Sequence, residues 1–204
     1  MMAYASRTGT RRTLAALRAA GWGLMVSAKG SLRTEGFPRW CLDNGAWSSH
    51  QQAQPFDEAA FLRAYEKIAP GADFCVLPDI VEGGLHSLEF SLLWRERLGT
   101  PFCPLLLAVQ DGMCVADVER LIGNQLGIFI GGSTRFKEDT LPMWSALAHE
   151  RGAHLHVGRV NSARRIALCH MANVDSIDGT SVSRFVNTLP RMDNALRQWG
   201  LPCM

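Results

Sequence analysis

Short apolar runs recur along this chain, and each stops at a carboxylate, amide, glycine or arginine just before a helix-forming stretch begins. Residues 73–77 run into Pro78-Asp79, residues 104–109 into Gln110-Asp111-Gly112, and residues 127–130 into Gly131-Gly132. Residues 154–157 run into Gly158-Arg159, and residues 174–178 end at Asp178 before Gly179-Thr180. Runs without polar alternation are expected of parallel strands covered on both faces. With residues 3–6, 24–28 and 40–42 they predict eight strands. Helices are predicted over 11–20 (capped by Thr10), 58–68 (capped by Asp57), 85–98, 115–122, 138–151, 163–170 (capped by Asn161 or Ser162) and 181–199.

Repeated βα units fit either an open doubly wound sheet or a closed (β/α)8 TIM-type barrel, and eight units favour the barrel. One domain over residues 1–204 is expected. In a barrel the C-terminal strand ends share one mouth, which would gather Asp43, Asp79, Gln110, Gly131, Gly132, Arg159 and Asp178.

Composition narrows the class. With 47% hydrophobic residues, 204 residues can bury one good core. Apolar stretches are strand-sized, so no membrane span is expected, and the start of the chain lacks signal-peptide form. A cytoplasmic location is expected, the host cytoplasm if the chain is phage-encoded. The six cysteines, Cys41, Cys75, Cys103, Cys114, Cys169 and Cys203, lack metal-site spacing, so reduced buried thiols are expected, with no metal and no cofactor. His149, His154, His156 and His170 likewise lack metal-site spacing with carboxylates and are expected to be ordinary buried or surface histidines. A net charge of +2 neither announces nor excludes a nucleic-acid partner.

Five segments carry a resemblance. Leu42-Asp43-Asn44-Gly45-Ala46-Trp47, the stretch from Asp73 to Asp79, Ala108-Val109-Gln110-Asp111-Gly112, Ile130-Gly131-Gly132 and the stretch from Val174 to Asp178 follow one another in order. Together they resemble the tRNA-guanine transglycosylases and their relatives that insert 7-deazaguanines into DNA. The resemblance implies a barrel fold and covalent base exchange, with Asp178 as the nucleophile at C1′ and Asp43 as the carboxylate that gives and takes protons. Two carboxylates with divided roles are what displacement at an anomeric carbon needs. By the same resemblance Asp79 would accept from N1–H and the amine of guanine, Gln110 and the Gly132 N–H (beside Gly131) would donate to O6, and Trp47 would stack on the base. Arg159, Arg164, Arg165 and Arg184 are the candidate phosphate contacts.

The resembling tRNA enzymes carry a zinc-binding segment after the nucleophile. This chain has only one predicted helix there, which points to a compact DNA-modifying type as in phages and bacteria. The expected partners are DNA, and less so tRNA, and a base such as 7-cyano-7-deazaguanine, with a homodimer or a partner subunit allowed. Each residue also has a plainer role: Asp178 as a helix cap, Asp79 as a turn residue, Trp47 as core or a surface aromatic, Gln110 solvated, and the arginines as a solvated helix face. Rival outcomes are a tRNA exchange enzyme working with a partner, a glycosylase in which water resolves the intermediate, and a noncatalytic base- or nucleic-acid-binding barrel.

Overall fold

The computed structural model describes residues 1–7, 10–34 and 36–198. Eight parallel strands close into a barrel in chain order: β1 (Met2–Ser6), β2 (Gly23–Ser27), β3 (Trp40–Asp43), β4 (Cys75–Val76), β5 (Leu105–Val109), β6 (Leu126–Ile130), β7 (Leu155–Val157) and β8 (Ser176–Gly179). Closure comes from β8 pairing with β1, with Ala3 opposite Ile177 and Tyr4 opposite Asp178. The architecture is the TIM-type (β/α)8 barrel that the apolar runs predict. Its outer layer holds α1 (Arg11–Ala19), α2 (Ala46–Gln51), α3 (Glu58–Ile68), α4 (Leu85–Leu98), α5 (Val115–Val118), α6 (Thr134–Arg151), α7 (Ala163–Met171), α8 (Ser181–Arg184) and α9 (Leu189–Gln198).

The β5 sequence Leu-Leu-Leu-Ala-Val shows why its run has no polar face. Leu105, Leu107 and Val109 join the core between barrel and helices, while Leu106 and Ala108 point inward with Tyr4, Met25, Cys41, Phe74 and Val76. Both faces of the strand are therefore dry, and alternation in sequence is lost. At the N-terminal end of the barrel, Tyr4 donates to Asp73 at 2.7 Å, and Arg39 pairs with the same carboxylate at 2.8 Å.

Caps set most helix starts. Thr10 accepts from the Thr13 N–H, Asp57 from Ala60, and Ser162 rather than Asn161 from Arg165. Four expectations need correction. Helix α6 begins at Thr134, ahead of the expected Glu138, because Ser133 Oγ accepts from the Phe136 N–H at 3.1 Å and starts the helix early. Helix α5 stops at Val118 instead of reaching Ile122, as Leu121 N–H bonds three residues back to Val118. Residues 46–51, where no helix is predicted, form α2, which starts after Gly45 in a left-handed conformation (φ 82°). The single closing helix is broken at Phe185 (φ −130°, ψ 86°) into α8, a 3-10 turn at Val186–Thr188, and α9. Pro190 sits in the first turn of α9, where a missing N–H costs nothing. The expected helix end at Trp199 lies outside the described residues, as does Cys203.

Ser133 serves two partners, since its N–H and hydroxyl also bind Asp111 at 2.6 and 2.7 Å. Ser133→Ala removes the α6 cap and half of that latch, and is expected to cost about 1–2 kcal/mol. Urea denaturation with an unchanged m-value checks this.

Candidate active site

The mouth is built from the last residue of each strand and the first residues of each loop. Asp43 is the final residue of β3, and its Oδ2 accepts from the Gly45 N–H at 3.3 Å. The next residue, Asn44, is buried and ties three segments together: Nδ2 donates to the Leu77 carbonyl (2.6 Å) and to Asp79 Oδ1 (2.8 Å), and Oδ1 accepts from the Ala46 N–H (2.8 Å). β4 has only two paired residues, so this side chain continues the β3–β4 connection where backbone pairing stops. Gln110 does the same one strand on. Its Nε2 donates to the Ile80 carbonyl at 2.9 Å, and the residue is 4% exposed, not solvated.

Gly131 and Gly132 follow β6 directly. Gly132 has φ +70°, and a Cβ there would lie 2.5 Å from Asp111 Oδ2, so only glycine fits between that carboxylate and the turn. Partial burial draws the Asp111 carboxyl up, but the Ser133 N–H and hydroxyl outweigh it and hold the group below the usual carboxylate range. The α6 N-terminus thus already holds an anion of its own chain.

Asp43 and Asp79 sit deep in the mouth and are only partly exposed. Burial pushes the Asp43 carboxyl up to about 6; the nearby Ser27 hydroxyl opposes this, and the charges of Asp178 and Asp79 add to it. Ser27 faces Asp43 in the β2–β3 register, and its buried Oγ makes no well-formed hydrogen bond. Asp79 is likewise raised to about 6 by burial, against the Asn44 hydrogen bond.

Asp178, on β8, is 5% exposed and lies in a different setting. Its Oδ1 lies 3.1 Å from His156 Nε2 and accepts from the Arg159 N–H at 3.2 Å. His156 is fully buried on β7, stacked on Phe129 with ring centroids 5.0 Å apart. Its Nδ1 lies 2.8 Å from Ser176 Oγ, which lies 2.7 Å from His154 Nε2. Behind β7, Lys137 of α6 is buried and donates to the Gly158 carbonyl at 2.9 Å. Burial lowers its ammonium to about 8, helped by Arg159 and opposed by Asp178.

The predicted residues fall into two groups. Asp43, Asp79, Gln110, Gly131, Gly132, Arg159 and Asp178 all end on the C-terminal side of the barrel, as the strand ends require. Trp47 and Arg159, assigned separately to base and phosphate, meet each other: the guanidinium lies 4.3 Å from the Trp47 ring, and Arg159 also donates to the Gly132 carbonyl at 2.8 Å. Arg159 adopts φ +56°, so this bridge holds a non-glycine residue in left-handed backbone. Arg164 and Arg165 are both paired with Glu138, at 2.9 and 3.2 Å, and belong to an α6–α7 contact. Arg184 is exposed at the end of α8.

Sequence reasoning missed His156, Ser176, Asn44 and Lys137. For the first two a signal existed: His154 and His156 on one strand, and Ser176 and Asp178 on the next, are each two apart and so share a face. Cys41, Cys75, Cys103 and Cys169 are buried free thiols, whereas Cys114, expected to be buried, is exposed. Among the described residues, no group of three or more His, Cys, Asp or Glu side chains is placed to hold a metal ion, and no helix is long and apolar enough to cross a membrane.

Fold and site together define a (β/α)8 barrel with three carboxylates, Asp43, Asp79 and Asp178, at its mouth. The chain is similar in structure to RipC from Yersinia pestis, with a TM-score of 0.56 and 9% identity over 100% of this chain and 96% of that one. It is similar to the same degree to 3-hexulose-6-phosphate synthase from Salmonella typhimurium, with a TM-score of 0.56 and 10% identity over 98% and 100% of the two chains. At these identities the likeness concerns the fold. No family model matches the chain, and no curated protein matches it.

Proposed function

We propose that the chain is a glycosyltransferase that exchanges guanine in DNA for a 7-deazaguanine such as 7-cyano-7-deazaguanine, through a covalent Asp178 intermediate. The observation that carries this reading is the contrast between two carboxylates in one mouth. Asp43, raised to about 6, can hold and return a proton near neutral pH. Asp178 instead has Oδ1 held between His156 Nε2 and the Arg159 N–H, which fixes the carboxyl group in one orientation. Two carboxyl groups in such different settings can divide the work, Asp43 managing the proton and Asp178 attacking.

In the first step Asp178 attacks C1′, the C1′–N9 bond breaks, and the departing guanine takes the Asp43 proton. In the second the incoming base gives its N9 proton to Asp43 and attacks C1′, releasing Asp178. Two inversions retain configuration. Asp79 faces the N1–H and amine edge of the base. Gln110 has one N–H on Ile80 and a second for O6, beside the Gly132 N–H. Stacking of the base on Trp47 displaces Arg159 from the ring and releases its charge toward phosphate. In a duplex the nucleotide must first be flipped out.

The test is incubation with DNA or tRNA carrying labelled guanine, with and without 7-cyano-7-deazaguanine. Guanine release from DNA that depends on the added base, with a denaturation-resistant protein–DNA adduct, supports the reading. Release from tRNA alone moves the substrate, and release without added base makes the protein a glycosylase. No release and no adduct from either polymer sinks base exchange.

A further inference from the structure

The polar side chains inside β7 and β8 form a hydrogen-bonded chain with one direction. As the nucleophile of the proposed reaction Asp178 must act as a carboxylate, which can only accept, so the hydrogen between Oδ1 and His156 Nε2 (3.1 Å) belongs to the histidine. A neutral His156 protonated on Nε2 has an acceptor at Nδ1, so Ser176 must donate to it (2.8 Å). Ser176 Oγ is then the acceptor for His154 Nε2–H (2.7 Å). Burial lowers the His154 pKa, which favours the neutral ring this pattern assumes. Every donor therefore points toward Asp178. His156 cannot rotate out of the pattern, because Phe129 stacks on it and Phe74 packs at 5.0 Å.

Both donors, His156 Nε2–H and the Arg159 N–H, meet Oδ1. Among the described residues Oδ2 has no hydrogen-bond partner. We propose that His156 is a positioning residue for Asp178, fixed in its Nε2–H form by Ser176 and His154 so that Oδ1 is held and Oδ2 is presented for bond formation. This deepens the base-exchange reading and rests on it for the role of Oδ2. The other ionisable groups around the carboxylate are Asp43 and Cys41 of β3 and Lys137 of α6, with Arg159 following β7. None of them makes a side-chain hydrogen bond to it, so His156 is the side chain that orients it.

Two measurements decide the matter. The first is the ¹⁵N spectrum of the imidazoles, which reads tautomers without any substrate. His156 is expected wholly as the Nε2–H form in the wild type and as a mixture in Asp178→Ala and Ser176→Ala. A wild-type Nδ1–H form or a tautomer mixture overturns the proposal. The second is the single-turnover rate of adduct formation. His156→Phe is expected to slow it by about 10–100-fold, the worth of one hydrogen bond to a charged group, with DNA affinity unchanged. His156→Gln, whose Nε2 can still donate, should recover most of that loss. A folded His156→Phe with the wild-type rate also overturns the proposal, and if that variant does not fold, Ser176→Ala and His156→Gln carry the kinetic arm. Should the wild type form no adduct with any polymer, base exchange falls, while the tautomer spectrum still decides whether His156 serves Asp178.

Discussion

Asp178→Asn is expected to lower the rate of adduct formation and base exchange by about 10⁴-fold or more, the scale on which enzymes respond to loss of a covalent nucleophile. The amide is nearly isosteric and its Oδ1 still accepts from His156 Nε2 and the Arg159 N–H, so the fold and the mouth stay in place. What is lost is the ionised oxygen that would bond to C1′. The loss should therefore fall on kcat, with KM for DNA little changed. A quench assay for the protein–DNA adduct, paired with a DNA-binding titration, checks both halves. Exchange at the wild-type rate would remove Asp178 from the chemistry.

Neutralising the other mouth carboxylates is expected to stabilise the protein above neutral pH. Asp43 and Asp79 have folded-state pKa values raised from 3.8 to about 6, so between those limits the folded chain binds more protons than the unfolded one. Stability from these groups is fully present below about pH 3.8 and is lost as pH rises through about 6. At pH 7.5 each ionised carboxylate then costs about 2–3 kcal/mol, since one pKa unit is worth about 1.4 kcal/mol. Asp79→Asn, which can still accept from Asn44 Nδ2, should raise the unfolding free energy by about 2 kcal/mol at pH 7.5 and by nothing at pH 4. Urea denaturation at the two pH values reads this, and an equal gain at both would show that the carboxylate is not the source. The same variant should weaken guanine binding, the usual exchange of function for stability at a buried charge.

Much of the barrel was legible because its strands are dry on both faces. Runs such as Leu105–Val109 stand out from helices by length and from surface strands by their lack of alternation. Polar residues at run ends then located the mouth, since closure of the sheet brings those ends together whatever the loops do. Helix α2 was not legible, because Ala-Trp-Ser-Ser-His-Gln has no apolar period and its start depends on left-handed Gly45. The break at Phe185 was hidden for a related reason: residues 181–198 keep helical composition across a single non-helical backbone turn. The partnership of His156 with Asp178 needed the β7–β8 register, in which His156 lies opposite Ser176. Register between parallel strands is fixed by packing on the intervening helix, and nothing local in either strand records it.

The side chains of Asn44 and Gln110 replace backbone pairing between strand ends, and this has a consequence for how such a mouth can diversify. A residue that frames the opening in this way cannot be exchanged for a new preference without slackening the frame. Asp79 and Trp47 carry less of the frame: Asp79 meets Asn44, which the Leu77 carbonyl also holds, and Trp47 meets the Arg159 guanidinium, which the Gly132 carbonyl also holds. Change of ligand along a lineage of such barrels would therefore run first through positions like 47 and 79, while 44 and 110 hold still for reasons of carpentry.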